Sequence, residues 1–337
     1  MSEINSSALK QLLAATIKKL IAGKKACFAL SGGVDSTLLT AIAAHHNLVN
    51  PLIAYTAITD SGHDLDYAKQ AAQLLGIDLR FVKVPQGDQA LDFFDEMSMK
   101  AGEPLELVGN SIGFAAICDA AKKDGFDAII DGTGAEQMTG GNLRIASQWV
   151  SLALKAGLKD QVNKVGKRYN IDLEKHRNSA FQSMSEIISH DLKYSAFTKW
   201  KDHHRVTENA CNIKILSPFL DVELDVLANQ PLDWYYRDGW LKSPLRKLLS
   251  EYLGEDIAYR PDNQGLRWPK KSNLIGCKAR MRQTVRRSGL LNKKSAFQRV
   301  AFAFHLHSIG NLARLYRDAI AENIRVLSDK REPVSEL

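Results

Sequence analysis

The chain has 337 residues, of which 45% are apolar and 25% charged, a composition typical of soluble globular proteins with one or two domains. No apolar run approaches the ~20 residues that cross a bilayer, and the N-terminus lacks a signal-peptide pattern, so we expect a cytoplasmic protein. The net charge of +7 is concentrated at the C-terminal end, because residues 278–337 contain 13 Lys/Arg and 5 Asp/Glu.

The first half of the chain alternates short apolar runs with segments of helical spacing. The predicted strands are 25–30, 52–59, 79–84 and 128–130, and the predicted helices between them are 36–45, 65–75 and 111–123. This order predicts an α/β fold with a parallel, doubly wound sheet. Cys27 lies in the first strand and is predicted to be a small core residue. The four cysteines form no CxxC pair, so no zinc site or disulfide framework is predicted.

After about residue 144 the pattern changes to helices and loops. Helical spacing covers 149–158, 181–192, 222–229 and 245–252, the polar segment 260–273 indicates a loop, and two or three basic helices follow from residue 279. We therefore predict an N-terminal helix (1–24), an α/β domain (25–145), a mainly helical region (146–277) and a basic helical extension (278–337).

Residues 27–38, CFALSGGVDSTL, place a Gly-Gly turn between an apolar strand and a helix start. Glycines allow backbone N–H groups to approach an oxyanion, and the helix N-terminus adds partial positive charge. Ser31 and Ser36 add hydroxyl donors, whereas Asp35 suits a Mg²⁺ ion that bridges to phosphate. The alternative is an ordinary turn with a helix cap. The segment is neither a Walker A loop nor a GxGxxG fingerprint.

The segment 31–36, SGGVDS, resembles the SGGxDS signature of the PP-loop ATP pyrophosphatases, which cleave ATP between the α and β phosphates. Three later segments resemble motifs of the asparagine synthetase and β-lactam synthetase family, in the same order. Residues 131–141, DGTGAEQMTGG, are similar to SGEGADELFGG; 217–221, SPFLD, to R-x-PFLD; and 242–246, KSPLR, to K-x-x-LR. The resemblance implies a PP-loop (HUP-like) fold followed by a helical region, with ATP and Mg²⁺ as cofactors.

The same resemblance implies roles for individual residues. ATP and pyrophosphate are expected to bind at Leu30, Ser31, Gly32, Gly33, Asp35, Ser36, Asp131 and Gly132. Asp35 and Glu136 are expected to hold Mg²⁺ and to take part in catalysis, since two carboxylates at neighbouring strand ends can share the ion.

The chain also departs from this family at three places. Thr133 replaces the glutamate that serves as base for the incoming amine, and a hydroxyl is a poor base at neutral pH. Asp262 replaces a lysine near the acyl-adenylate, which makes Lys270 and Lys271 catalytic candidates, together with Arg267. Only about 25 residues precede the first strand, so we expect no glutaminase domain. Nitrogen would then come from ammonia, a separate glutaminase or an amine substrate.

Outside the motifs, two features leave alternatives open. Asp202 and Arg205 are candidates for the acceptor side of the site. The basic extension suits nucleic-acid binding, docking of an acidic carrier protein, or an amphipathic appendage with its apolar residues packed down. The sequence therefore favours an ATP-dependent synthetase that forms a C–N bond through an acyl-adenylate and releases AMP and pyrophosphate. The alternatives are a PP-loop RNA-modifying enzyme and a nucleotide-binding regulatory subunit.

Overall fold

A computed structural model describes residues 4–58, 64–106, 111–176, 180–194, 197–260, 278–287 and 309–329. Its strands are β1 (Ala26–Ala29), β2 (Ile53–Ile58), β3 (Asp78–Lys83), β4 (Ala128–Ile130) and β5 (Lys214–Leu216). All neighbouring strands pair in parallel, in the order β3–β2–β1–β4–β5. The chain builds the sheet outward from β1 in one direction and then, from β4, in the other. The order therefore reverses between β1 and β4, where open α/β sheets bind ligands.

Helices surround this sheet. Those of the first half are α1 (Ser6–Ile21), α2 (Val34–His45), α3 (Asp64–Leu75), α4 (Gly87–Ala101), α5 (Ser111–Lys123) and α6 (Ala135–Met138). Those that follow are α7 (Leu143–Lys155), α8 (Lys159–Tyr169), α9 (Met184–Tyr194), α10 (Phe197–Cys211), α11 (Ser243–Leu253) and α12 (Glu255–Ala258), then α13 (Lys278–Arg287) and α14 (Ile309–Asp329). Short 3-10 helices lie at Leu173–His176, Pro218–Leu220, Val222–Asn229 and Arg237–Gly239.

Two hydrophobic cores cover the two faces of the sheet. Successive strand residues alternate between them, because side chains on a strand point to opposite faces: Phe28 and Ile130 pack with α1, α2 and the helices of the second half, whereas Cys27 and Ile129 pack with α4, α5 and α10. Cys27 is fully buried, which confirms its prediction as a core residue. The α/β fold with a parallel, doubly wound sheet is likewise confirmed.

Sequence patterns predicted four of the five strands and missed β5, the longer helices α4, α8 and α10, and the one-turn helices α6 and α12. β5 has only three residues, too few for an alternating pattern to stand out, and it lies in the region predicted as mainly helical. The sheet therefore extends beyond the predicted α/β segment that ends at residue 145. No helix among the described residues has the length and apolar character needed to span a bilayer.

The described helices of the basic extension pack against α4. Met281, Val285 and Tyr316 are buried in the core on that side of the sheet. Arg280 pairs with Asp92 and Asp95 of α4 at 2.7 and 3.0 Å. Arg280 of α13 thus takes part in attaching the extension to the α/β domain.

Arg246 supports the loop that leaves α12, and its loss is expected to destabilise the protein. Its guanidinium is 1% exposed and donates hydrogen bonds to the backbone carbonyls of Leu241, Ala258 and Arg260 at 3.0, 2.7 and 3.2 Å. Arg246→Leu leaves these buried acceptors without a donor, so we expect the free energy of unfolding to fall by about 3 kcal/mol. Urea denaturation measures the change. Arg325→Leu, at an exposed ion pair with Glu322, is the control and should leave the unfolding transition almost unchanged.

Candidate functional site

A cleft of about 280 Å³ opens between the carboxyl ends of β1 and β4. Most of the predicted site residues line it: Ser31, Gly33, Asp35, Ser36, Asp131, Gly132, Thr133 and Glu136. The structure therefore brings together two motifs that lie about a hundred residues apart in the chain. Gly32 and Leu30 flank this group. The Leu30 side chain is fully buried, and its N–H donates to the Tyr55 carbonyl at 2.8 Å. A contact between Leu30 and ATP would therefore have to involve the Leu30 backbone, and this contact stays a prediction.

Two serines hydrogen-bond to each other across the loop between β1 and α2. The Ser31 and Ser36 hydroxyl oxygens are 2.9 Å apart, and the Ser31 N–H donates to Ser36 Oγ at 3.1 Å. Gly33, the residue before α2, provides no side-chain cap, so the first N–H groups of α2 keep their donors for a ligand. Uncapped N–H groups and the helix dipole together favour a phosphate group at this point.

Gly32 is required by both its backbone conformation and its surroundings. Its φ is +78°, and a Cβ at this position would lie 2.8 Å from the Ala68 nitrogen in α3 and closer still to the Asp64 carbonyl oxygen. Gly132 has a similar role across the cleft, because its Cβ would lie 2.7 Å from Asp35 Cβ. The glycines of both motifs thus allow the phosphate loop, α3 and the loop after β4 to approach closely.

Gly32→Ala is expected to destabilise the protein more than Gly76→Ala. Gly76 also has a positive φ, +64°, but a Cβ at this position would have no neighbouring atom within 4 Å. Both variants bear the cost of a left-handed residue with a Cβ, roughly 1–2 kcal/mol, whereas only Gly32→Ala adds a clash of about 1–3 kcal/mol. Thermal or urea denaturation of the pair isolates the clash. Equal losses in the two variants would show that α3 moves aside freely.

A lysine joins the two predicted metal ligands. Lys242 Nζ lies 2.6 Å from Asp35 Oδ2 and 3.5 Å from Glu136 Oε1. Gly141 allows the lysine to pass, because a Cβ there would lie 2.5 Å from Lys242 Cε. The KSPLR segment contains Lys242, but the sequence did not identify this lysine as a site residue. The position of Lys242 in the family-like KSPLR segment was the sequence signal that could have identified it. Only the fold shows that Lys242 reaches Asp35.

Asp35 and Glu136 fit a Mg²⁺ ion that binds together with phosphate. Asp35 Oδ1 is buried and has no hydrogen-bond partner among the described residues, so this oxygen is free to bind an ion. The described residues contain no group of three or more His, Cys, Asp or Glu side chains that could hold a metal alone. Mg²⁺ in nucleotide sites commonly takes one or two protein carboxylates and completes its shell with phosphates and water. The pair therefore suits a nucleotide-bound ion.

Asp131 is the centre of a second polar group in the cleft. Its carboxylate, 6% exposed, accepts a 2.6 Å hydrogen bond from Ser217 Oγ of the SPFLD segment and a short one from the Thr133 hydroxyl. His204 Nε2 lies 3.3 Å from Asp131 Oδ2. Thr133, which stands in place of the family's glutamate, is thus hydrogen-bonded to a carboxylate two residues before it.

An aromatic wall, formed by Phe114, Phe197 and Trp200, faces the phosphate loop across the cleft. Sequence reasoning missed all three residues, because α10 was not predicted and Phe114 reads as an ordinary core residue. By contrast, the predicted acceptor-side candidates Asp202 and Arg205 do not line the cleft. Arg205 instead pairs with Glu103 of the α4–α5 connection.

Behind this wall, His203 is fully buried against Phe114 and Trp200. Burial, with a smaller contribution from His204, lowers the pKa of His203 to about 3. In the unfolded chain the imidazole takes up a proton near pH 6.5, whereas in the folded state it stays neutral down to about pH 3. The contribution of neutral His203 to the free energy of unfolding is therefore fully present above pH 6.5 and is lost as the pH falls towards 3.

We therefore expect His203→Phe to flatten the pH dependence of stability between pH 7 and 5, by about 1–2 kcal/mol. Urea denaturation at the two pH values measures the difference, and His190→Gln, at an exposed position, is the control. An unchanged pH dependence in His203→Phe would contradict the low pKa.

The remaining predicted catalytic residues, Lys270 and Lys271, lie outside the described residues together with Asp262 and Arg267, and their roles stay predictions.

Comparison with known proteins gives one family and two curated relatives. The asparagine synthase family model matches residues 8–320. The chain is 25% identical over 242 residues to "Putative asparagine synthetase (glutamine-hydrolyzing) 1" of Methanocaldococcus jannaschii, covering 68% of this chain and 43% of that protein. It is 27% identical over 154 residues to "Amidase chry2" of Gibberella zeae, covering 41% of this chain and 23% of that protein. The matched region thus spans less than half the length of either relative.

Proposed function

Because this chain belongs to the asparagine synthase family, we propose that it is an ATP-dependent synthetase that joins a carboxylate to ammonia or an amine. The carboxylate attacks the α-phosphate of ATP, pyrophosphate leaves, and the resulting acyl-adenylate is then attacked by the amine to release AMP. The observation that carries this proposal is that the uncapped phosphate loop, Asp35 and Glu136 line one cleft, and that Lys242 pairs with both carboxylates.

In the ATP half of the reaction, the chain binds the phosphates and balances their charge. The first N–H groups of α2, with the hydroxyls of Ser31 and Ser36, suit the departing pyrophosphate. Mg²⁺ held by Asp35 and Glu136 would neutralise phosphate charge when it binds. Lys242 pairs with Asp35 and Glu136, so its ammonium would supply a fixed cation close to the bound phosphates. Preorganised positive charge of this kind stabilises a leaving anion.

In the amine half, Asp131 is the proton acceptor that the geometry favours. The Thr133 hydroxyl donates to Asp131 Oδ2, so Thr133 can pass a proton to Asp131 while it receives one from the amine. As the N–C bond forms, the bond between the acyl carbon and the phosphate oxygen breaks, AMP leaves as the anion, and the amine proton moves to Thr133. A carboxylate reached through a hydroxyl thus replaces the direct glutamate base.

The nitrogen source in this proposal is free ammonia, a separate glutaminase subunit or an amine substrate. An acidic carrier protein that presents the acyl group is a further partner class that the proposal allows. RNA binding stays the alternative; in the described part of the extension, Arg280 and Arg317 are engaged within the chain, in ion pairs with Asp92, Asp95 and Glu106.

The test is to follow nucleotide products with a panel of carboxylic acids and hydroxylamine. Hydroxylamine captures acyl-adenylates as hydroxamates and does so without a strong enzymic base, so it isolates the ATP half. We expect stoichiometric AMP, pyrophosphate and hydroxamate for the accepted acid. Formation of ADP, or no nucleotide turnover with any acid, would contradict the proposed function.

A further inference from the structure

Asp131 has an imidazole behind it, on the side away from the cleft. His204 Nε2 lies 3.3 Å from Asp131 Oδ2, and the two side chains are 13% and 7% exposed. Asp131 lines the cleft, whereas His204 does not belong to its described lining. His204 can therefore influence the reaction only through Asp131.

The two carboxylate oxygens of Asp131 have different partners. Oδ1 accepts the Ser217 hydroxyl at 2.6 Å and the Thr133 N–H at 3.3 Å, so two donors hold it in place. Oδ2 accepts the short hydrogen bond from the Thr133 hydroxyl and faces His204 Nε2. The oxygen that can receive a proton from Thr133 is thus the oxygen next to the imidazole.

The surroundings of His204 leave Asp131 as the polar group beside Nε2. This nitrogen is buried and has no hydrogen bond with a described residue, although buried polar atoms nearly always have one. The ring packs between Phe114 and Trp200, at centroid distances of 5.2 and 5.8 Å. Aromatic neighbours do not satisfy the nitrogen, so its partner has to be the carboxylate.

The distance between the two groups indicates which form of the imidazole faces Asp131. An N–H group that donates to a carboxylate lies about 2.7–2.9 Å from the oxygen, closer than the 3.3 Å found between His204 and Asp131. The longer distance fits a neutral ring with its proton on Nδ1 and a lone pair on Nε2. Contacts between catalytic groups are often long before substrate binds and then tighten. His204 Nε2 is therefore placed to accept a proton.

Neighbouring titratable groups do not compete for this proton. Burial lowers the pKa of His203, which packs beside His204 on α10, to about 3. On α5, which packs against α10, burial raises the pKa of the Cys118 thiol well above its usual value. Both groups stay neutral near pH 7. Within the described part of the chain, Asp131 is the only charged side chain paired with His204.

We infer that His204 receives the proton that the attacking amine gives up, with Thr133 and Asp131 as the two carriers between them. This inference rests on the proposed function. As the N–C bond forms, the amine proton moves to Thr133 Oγ1, the Thr133 hydroxyl proton to Asp131 Oδ2, and a proton from Oδ2 to His204 Nε2. The bond from the acyl carbon to the phosphate oxygen breaks, and AMP leaves with its electron pair.

The imidazole improves the proton transfer because it holds a proton better than a carboxylate does. Carboxyl groups in general ionise near pH 4, whereas imidazoles remain protonated up to about pH 6.5. After the transfer, Asp131 is again a carboxylate and His204 is an imidazolium beside it, so the two charges stabilise each other. The partly exposed ring then returns the proton to water.

The experiment compares two kinds of nucleophile in the wild type, His204→Gln and His190→Gln. Hydroxylamine captures the acyl-adenylate without a strong enzymic base, whereas ammonia and primary amines have to lose a proton to the enzyme. Both are used with the acid that the hydroxamate panel identifies, at a fixed concentration of un-ionised nucleophile. Glutamine at position 204 keeps an amide donor for Asp131 but cannot take up a proton. His190, exposed on α9, is the control.

We expect His204→Gln to form the amide about 10²-fold more slowly, mainly in kcat, with hydroxamate formation and pyrophosphate release almost unchanged. His190→Gln should match the wild type with every nucleophile. In the wild type, kcat for amide formation should rise with pH over the range where imidazoles titrate, about pH 5–8, because only neutral His204 accepts the proton. Hydroxamate formation should lack this rise, and so should amide formation by His204→Gln.

Amide formation by His204→Gln at the wild-type rate would show that His204 only positions Asp131, and equal losses of amide and hydroxamate would give it a structural role. Either result overturns the inference. A wild-type kcat for amide formation that does not depend on pH in this range would also overturn it, without reliance on the folding of a variant. Absence of hydroxamate and pyrophosphate in the wild type would instead contradict the proposed function, and the inference with it.

Discussion

Asp35→Asn is expected to lower the rate of pyrophosphate release by about 10³-fold or more, with little change in stability. The substitution keeps the shape of the side chain but removes its charge. Asp35 Oδ2 is the partner of Lys242, and Oδ1 is the buried oxygen that lacks a hydrogen bond. The variant thus loses the charged partner of Lys242 and the carboxylate that we propose as a ligand of Mg²⁺.

Pyrophosphate release and hydroxamate formation measure this loss, with circular dichroism as the check of folding. Asp78→Asn is a matched control, since Asp78 is an exposed carboxylate that also forms an ion pair, with Arg80 on the edge strand β3. It should retain wild-type rates. Asp35→Asn with near-normal pyrophosphate release would place the phosphate chemistry elsewhere and would contradict the assignment of the cleft.

Lys242→Met is expected to reduce pyrophosphate release by about 10²-fold, mainly in kcat, because the fixed cation stabilises charge that develops as pyrophosphate leaves. Methionine retains the length of the aliphatic stem, which lies against Gly141. The two neighbouring carboxylates then repel each other without the ammonium between them, so an additional loss of ATP affinity is expected.

The change in kcat, compared with the change in the KM for ATP, distinguishes a role of Lys242 in the chemical step from simple charge balance. Lys242→Arg should restore part of kcat, and the loss in Asp35→Asn combined with Lys242→Met should be smaller than the product of the single losses, since the two side chains act as a pair. Lys247→Met, five residues along the chain and outside the cleft, is the control for removing a nearby lysine. If Lys242→Met changes only the KM for ATP, Lys242 serves binding and not the chemical step.

The fold was predictable where local patterns were long enough to read. The helices 36–45, 65–75 and 111–123 correspond closely to α2, α3 and α5, since each is a segment of ten or more residues with helical apolar spacing and a glycine or loop at its end. β5 and α10 were missed. The first is three residues long, and the second is rich in charged residues because much of it faces solvent. Their places are set by the sheet and core they join.

The residues of the site likewise divide into those that a local sequence pattern predicts and those that it does not. Ser31, Gly32, Gly33, Asp35 and Ser36 could be predicted as site residues because a phosphate loop is a local structure, formed by six consecutive residues at a strand end and a helix start. Phe197 and Trp200 could not be predicted as site residues. Two aromatic residues three positions apart on a helix indicate a packing face, and only the position of the helix beside the cleft shows that they line it. The sequence also could not show that the Thr133 hydroxyl is bonded to Asp131.

By itself, the sequence predicted the parallel α/β sheet and the family, both of which are confirmed, and the phosphate loop, whose role stays a prediction. These features depend on interactions among neighbouring residues and on ordered motifs. Lys242 is different. It lies 207 residues from Asp35, and their contact exists because α11 packs against α2, Gly141 leaves room for the lysine stem, and Lys242 adopts a φ of +57°. Contacts at such separation follow from the packing of whole elements, which local patterns do not encode, and so the cation of the site is found only in the folded chain.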